Sequence, residues 1–433
     1  MTTPDRSEVS AGMSEDHPDA TVPAERGEVD QAASPAVDGA PWPGSDSHPT
    51  PGSDGQPAPG HPTPGHPTPA HPAPGTTHPT TTHPTSAHPG TGSGPGSGVG
   101  AEAMLAAEAL QEVKRVIVGQ EHMVERLMVA LLARGHCLLE GVPGVAKTLA
   151  VRTFATVVGG EFARLQFTPD LVPSDIVGTR IYRPSKEAFD VELGPVFVNF
   201  VLADEVNRAP AKVQSAMLEL MAERQVSVGG RTFPLPAPFI VIATQNPLES
   251  EGVYPLPEAQ RDRFLVKVDV HLPDAEEEYQ ILERMSVDPP TPRQILHPDR
   301  ILALQQAADR VFVHRLVADY VVRLVLATRR PVEYHLPELT QVIEVGASPR
   351  ATLGLVSSAR ALALMRGRDY VLPQDVQDVA RDVMPHRLVL GFDAVADGLS
   401  ASSVVERVLA VVPPPRPVWR QDTQGAAGRP EFR

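Results

Sequence analysis

A run of small residues, Gly141-Val142-Pro143-Gly144-Val145-Ala146-Lys147-Thr148, joins the short strand-like segment Cys137–Glu140 to a helical stretch that begins near Leu149. A strand, a tight loop and a helix in immediate succession constrain the fold strongly, because the helix must return along the sheet before the next strand can pair. Two further apolar runs, Phe197–Ala203 and Phe239–Thr244, read as buried parallel strands and alternate with helical stretches. The alternation predicts an α/β domain, a parallel sheet with helices on both faces. Ahead of it, Ala101–Arg115 and Glu121–Leu132 read as helices, the second with Met123, Leu127, Ala130 and Leu131 on one side. Gln225 to Phe233 alternates around Gly229-Gly230 and predicts a hairpin.

Beyond Pro273 the parallel-strand signal stops. Ala275–Met285, Ile301–Ala308, Leu316–Arg329, Pro349–Arg366 and Pro373–His386 are helical, and Ser348-Pro349 makes a good helix start with Ser as the cap and Pro in the first turn. The expected organisation is therefore an α/β domain over 101–273, an all-helical domain over 274–412, and a flexible polar tail over 413–433 that opens at Pro413-Pro414-Pro415.

Residues 1–100 contain no Leu, Ile or Phe, so they cannot bury enough apolar surface to offset the entropy of ordering, and are expected to be a disordered tail. Within them His-Pro-Thr-Pro-Gly recurs at His61 and His66 and loosens through His71, His78, His83 and His88. In a polyproline II helix histidines five apart lie roughly 15 Å from one another, too far to converge on one metal, so a stiff spacer is expected and not a metal tract. The tail holds eleven of the acidic residues against two arginines, and the whole chain carries a formal charge of −15. That balance argues against nonspecific nucleic-acid binding, which needs clustered Lys and Arg. Cys137 is the sole cysteine and sits in an apolar run, so a buried strand residue is expected and no intrachain disulfide is possible. Met1–Glu8 has no basic and apolar leader, and no apolar run reaches the ~20 residues of a membrane helix. The expected location is the cytoplasm.

The chemistry lies at the strand ends. In Gly141–Thr148 small residues would let backbone N–H groups wrap phosphates at a helix N-terminus, Lys147 would meet the β/γ-phosphates, and the Thr148 hydroxyl would ligate Mg²⁺. Ala146 stands where the usual pattern has its second glycine. Phe200-Val201-Leu202-Ala203-Asp204-Glu205 ends a strand in two acids at the carboxyl edge of the sheet, where Asp204 can hold Mg²⁺ and Glu205 can activate the attacking water. Asn246, ending the third strand, would sit between the other two strand ends, within reach of the γ-phosphate. Arg261 and Arg263 are candidates for an arginine supplied to a neighbour's γ-phosphate, and Arg350 for sensing nucleotide across the domain boundary.

These segments resemble the MoxR family of AAA+ ATPases over about residues 104 to 412. The resemblance rests on Gly141–Thr148, Gly194-Pro195-Val196-Phe197, Leu202 through Pro210 (Leu-Ala-Asp-Glu-Val-Asn-Arg-Ala-Pro), Gln214–Glu219, Ala243–Pro247, Glu258–Phe264 and Gly346–Ala351. It implies ATP and Mg²⁺ as cofactors, a phosphate-binding segment Gly141, Val142, Pro143, Gly144, Val145, Ala146, Lys147, Thr148 and Leu149, and adenine contacts near Val118, Gly119 and Gln120. It further implies sensor-1 for Asn246, a trans-acting arginine at Arg263, sensor-2 for Arg350, and an insert within the second helix around Phe167–Phe189. The hairpin would face the pore of a hexameric homo-oligomeric ring. Arg261 departs from the family, which usually carries an apolar residue there.

The function this implies is Mg-dependent ATP hydrolysis driving chaperone-like remodelling or maturation of a client protein, alongside a partner bearing a von Willebrand factor A domain. A nucleic-acid-directed motor shares the architecture, but the acidic balance speaks against it. A nucleotide-gated binder without turnover would not need Lys147, Thr148, Asp204, Glu205, Asn246 and Arg263 together.

Overall fold

The structure is a computed structural model that describes residues 97–248, 252–418 and 431–432. The His-Pro repeats and most of the C-terminal polar run lie outside them.

Helix α1, Ser97–Val116, begins four residues before the expected Ala101, because Val99 packs against the core and carries the helix back through two glycines. Helix α2, Glu121–Leu132, keeps its expected bounds. Strand β1, Cys137–Gly141, leads through the Gly-rich loop into α3, Lys147–Val158. Then follow β2, Phe162–Gln166, the five-residue helix α4, Pro173–Val177, and a hairpin of β3, Gly178–Arg183, and β4, Ala188–Leu193. The insert expected around Phe167–Phe189 is thus largely this hairpin, and it runs on to Leu193. Strand β5, Phe200–Asp204, α5, Ala211–Glu223, the hairpin β6–β7 (Gln225–Val228, Arg231–Pro234), β8, Ile240–Gln245, the four-residue α6, Glu258–Arg261, and β9, Val266–Val270, complete this part.

The main sheet is five-stranded and parallel, in the order β2-β5-β8-β1-β9. Sequence pattern finds its three inner strands and misses both edges. Strand β2 is partly exposed along its length and carries Arg164 and Gln166, so it lacks a continuous apolar run. Strand β9 does alternate, with Val266, Val268 and Val270 buried between Lys267 and Asp269, and that period of two was the signal to read.

Alternation along the inner strands divides the core. Cys137, Leu139, Phe200, Leu202, Ile240 and Ile242 face one layer, while Leu138, Val201, Ala203, Val241 and Ala243 face the other. The second layer is closed by Val213, Met217, Leu218 and Met221 of α5, together with Phe264. The first is closed by α1, α2 and α3, and continues without a break into the C-terminal helices. Those are α7 (Ala275–Met285), α8 (Pro298–Arg310), α9 (Arg315–Arg329), α10 (Pro349–Met365), α11 (Pro373–Val383), the short α12 (Phe392–Ala396) and α13 (Ala401–Val411), with a small antiparallel pair, Ile343–Val345 against Val389–Leu390. Helix α2 is therefore buried almost all round, and its Arg126 is neutralised by Asp382 of α11 at 2.6 Å. Ser348 caps α10 as expected, accepting from the Arg350 amide.

Candidate functional site

All five parallel strands end at one edge, and the strand order decides which ends are neighbours. Strand β8 lies between β5 and β1, so Asn246 follows a strand flanked by Asp204-Glu205 on one side and the Gly-rich loop on the other. The three segments, expected from sequence to meet with Asn246 between the other two strand ends, line a single cleft of about 370 Å³: Pro143 to Leu149, Asp204 with Glu205, and Asn246. Arg164, Thr244 and Gln245 complete its wall.

The loop turns on two positive φ angles. Gly144 has φ +87°, and Ala146, the cap residue of α3, has φ +58°. A left-handed conformation costs an L-residue about 1 kcal/mol or more, which is why glycine is the usual occupant; alanine bears it with the smallest side chain that has a Cβ. The Lys147 ammonium curls back onto the loop, donating to the carbonyls of Gly141 and, at 2.9 Å, Val142. Partial burial lowers its pKa, and the charges of Asp204 and Glu205 oppose that shift.

Asp204 is buried at the floor of the cleft. Its Oδ1 accepts from Thr244 Oγ1 at 2.5 Å, and its Oδ2 accepts from Thr148 Oγ1 at 3.2 Å and from Arg164 Nε and Nη2 at 2.9 and 2.6 Å. Thr244 also accepts from the Glu205 amide at 2.9 Å, so one hydroxyl orients both acids. Glu205 has φ +57°, and its carboxylate accepts from Gln166 Nε2 at 2.7 Å and pairs with Arg208 at 3.2 Å. Asn246 is buried, its Oδ1 accepting from the Leu248 amide. Arg164, Gln166 and Thr244 were not singled out from sequence. The first two sit on the missed strand β2, and recognising that strand would have put them at the same edge.

Val118, Gly119 and Gln120 form the turn between α1 and α2. Gly119 has φ +62°, and the Gln120 amide donates to the His271 carbonyl at 2.9 Å. Gln120 borders a cavity of about 450 Å³, and Gly141 with Val142 borders another of about 370 Å³. The two cavities share the wall Lys267, Asp269, His271 and Leu272, which connects this turn to the start of the Gly-rich loop.

Arg263 and Arg350 are not among the residues lining the cleft that holds Lys147 and Asp204. Both line a separate groove of about 550 Å³ beside Arg134, Arg224 and Arg360. Arg350 pairs with Asp262 at 3.3 Å, and Asp262 also accepts from Ser348 at 2.9 Å and from the buried Arg387 at 3.1 Å. The residue between the two candidate arginines thus ties their loop to the start of α10. Arg261 pairs with Glu258 one turn away at 3.5 Å.

Residues 136–266 match the ATPase family associated with various cellular activities (AAA), and 339–408 match the AAA lid domain. The chain is 61% identical over 316 residues to Chaperone MoxR1 of Mycobacterium tuberculosis, covering 73% of this chain and 84% of that protein. It is 33% identical over 304 residues to Protein MoxR of Methylorubrum extorquens, covering 66% and 88%. A crystal structure of an ATPase candidate from Cytophaga hutchinsonii superposes with a TM-score of 0.69 at 46% identity, over 72% of this chain and 96% of that one. A Gly-rich loop, paired acids and a polar strand end at one sheet edge, a helical lid, and relatives matched over most of their length place the chain in the MoxR family of AAA+ ATPases.

Proposed function

We propose that this protein binds and hydrolyses ATP with Mg²⁺ and uses the cycle to remodel or mature a partner protein. The observation that carries the reading is the convergence of Lys147, Thr148, Asp204, Glu205 and Asn246 on one cleft. Thr148 and Asp204 offer hard oxygen donors 3.2 Å apart, a set that fits Mg²⁺; bound there, the cation would offset charge on the transferring phosphoryl group. The chain's own residues do the rest. Backbone N–H groups at the start of α3 cradle the phosphates, and Lys147 exchanges its loop carbonyls for phosphate oxygens. Glu205, held by Gln166 and the Thr244-anchored backbone, orients and deprotonates the attacking water, with Asn246 beside it as sensor-1. Val118, Gly119 and Gln120 contact the adenine, Gln120 along the wall that its cavity shares with the one beside Gly141 and Val142.

Arg263 acts as the finger and Arg350 as sensor-2. Their placement in a groove away from their own phosphate cleft favours service to a neighbouring subunit's nucleotide, within a homo-oligomeric ring that we take to be hexameric. Kinship with the mycobacterial chaperone supports the chaperone-like role, and we extend the reading to a partner bearing a von Willebrand factor A domain and to a cytoplasmic location. Among the described residues no helix is long and apolar enough to cross a membrane.

The test is a pair of variants. Lys147→Ala should abolish ATP binding, because the charge that meets the phosphates is gone. Glu205→Gln should keep ATP bound and stop turnover, and in cells should trap the client for identification by mass spectrometry. Tight ATP binding by the first, or normal turnover by the second, removes these roles.

A further inference from the structure

The Asp204 oxygen nearest Thr148 is also the one covered by a cation of the protein itself. Arg164 grips Asp204 Oδ2 through Nε and Nη2 at 2.9 and 2.6 Å, while Thr148 Oγ1 reaches the same oxygen at 3.2 Å. The other carboxylate oxygen is taken by Thr244 at 2.5 Å. Parallel register sets Gln166 of β2 opposite Asp204 and Arg164 opposite Leu202, so the guanidinium reaches two residues along the strand to the acid. It is held on that line by Gln166 Oε1, which accepts from Nη2 at 2.8 Å. Asp204 is almost wholly buried, whereas half of the Arg164 side chain is exposed on an edge strand, so the arginine is the member of the pair with room to leave.

We propose that Arg164 competes with the divalent cation for Asp204, so that the carboxylate accepts metal readily only when nucleotide phosphates arrive with it. This rests on reading Thr148 and Asp204 as the metal ligands. Oδ2 of this buried carboxylate, the oxygen nearest Thr148, already carries both guanidinium contacts and the Thr148 hydroxyl, so it has no lone pair to spare for a second cation, and two cations on one oxygen repel. A free divalent ion therefore has to displace Arg164 unaided. An ion arriving with a triphosphate brings further oxygen ligands and negative charge, which compensate both the metal and the released guanidinium. Arg164 is thus a positioning residue: it holds the acid aimed along β5 while denying it to free cations.

The experiment titrates the full-length protein with Mn²⁺ and no nucleotide, reading bound metal by electron paramagnetic resonance. Arg164→Gln keeps hydrogen-bonding capacity and loses the charge; it should bind Mn²⁺ about tenfold more tightly than the wild type, the scale of one lost charge-assisted hydrogen bond. Arg164→Lys, which keeps the cation, should stay near the wild type. Adding Asp204→Asn to Arg164→Gln should erase the gain, and a non-hydrolysable ATP analogue should narrow the difference between wild type and Arg164→Gln. Circular dichroism of each variant checks folding, and Arg164→Lys keeps the test open if Arg164→Gln fails to fold, since any large gain in that variant counts against competition by charge. Mn²⁺ binding by Arg164→Gln equal to the wild type overturns the proposal, as does a gain that survives Asp204→Asn. If Asp204→Asn in the otherwise wild-type chain leaves binding of Mn²⁺ with nucleotide intact, Asp204 is not a metal ligand and the underlying reading fails with it.

Discussion

At Ala146 a side chain occupies a backbone conformation that favours glycine, with φ +58° at the point where the Gly-rich loop enters α3. Ala146→Gly removes the strain but frees the unfolded chain, two effects of about 1 kcal/mol with opposite sign, so stability should stay within about 1 kcal/mol of the wild type. Ala146→Val puts a branched Cβ at the same angle, which a β-branched residue bears worst, and should weaken ATP binding by about tenfold or more. Isothermal titration with both variants checks this; equal affinities for Gly and Val would show that the angle does not matter to the loop. The lone Cys137 proves to be the expected strand residue, fully buried, with burial pushing its thiol pKa well up and out of the reactive range.

Between elements, His136 performs a task that its sequence position does not disclose. It precedes β1, and its ring links two neighbours: Nδ1 accepts from the Val241 amide of β8 at 2.9 Å and Nε2 donates to the Met221 carbonyl of α5 at 3.1 Å. Those bonds need the neutral ring, and burial lowers its pKa to about 4. The unfolded chain takes up this proton near pH 6.5 and the folded one only near pH 4, so the unfolded state binds more protons in between. The contribution is therefore full above pH 6.5 and is lost as pH falls towards 4, about 3 kcal/mol in all. Denaturant melts at pH 7.0 and 4.5 should show His136→Gln losing less stability over that interval than the wild type; equal losses would mean the histidine does not titrate as buried. Glu112 acts with the same sign lower on the scale. Hydrogen bonds from Arg115 and Arg293 hold its carboxyl far below the usual range, so its clamp between α1 and the segment before α8 persists until strongly acid pH.

For the whole molecule the central expectation concerns assembly. If Arg263 serves a neighbour, Arg263→Ala should bind ATP normally and lose on the order of 10³-fold in turnover, and mixing it with Lys147→Ala should restore part of the activity at mixed interfaces. Arg261→Ala, already paired within its own helix, should have the smaller effect. Turnover that neither recovers on mixing nor falls on dilution would sink the trans mechanism, and a larger loss for Arg261→Ala would move the finger there. Deleting residues 1–96, just short of α1, should leave ATPase rate and melting temperature nearly unchanged, since that segment has no Leu, Ile or Phe to add to a core. A melting temperature lowered by many degrees would show that it packs on the rest of the chain.

Much of this was determined by the sequence alone, because it is local. The Gly-rich loop between strand and helix, the two acids ending an apolar run, the helices beyond Pro273 and the Ser348 cap each depend on residues within a few positions of one another, and spacing suffices to read them. Tertiary structure decided what spacing cannot encode. Strand order brought the ends of β1, β5 and β8 into one cleft. Pairing of the partly polar β2 put Arg164 on Asp204 and Gln166 on Glu205, and neither contact shows as a local pattern. The same holds for Arg263 and Arg350, far apart in sequence yet lining one groove. Both results come from long-range burial: the apolar faces of the sheet must be covered by α5 on one side and by the first and last helices on the other, and that packing chooses which strand ends and which arginines meet.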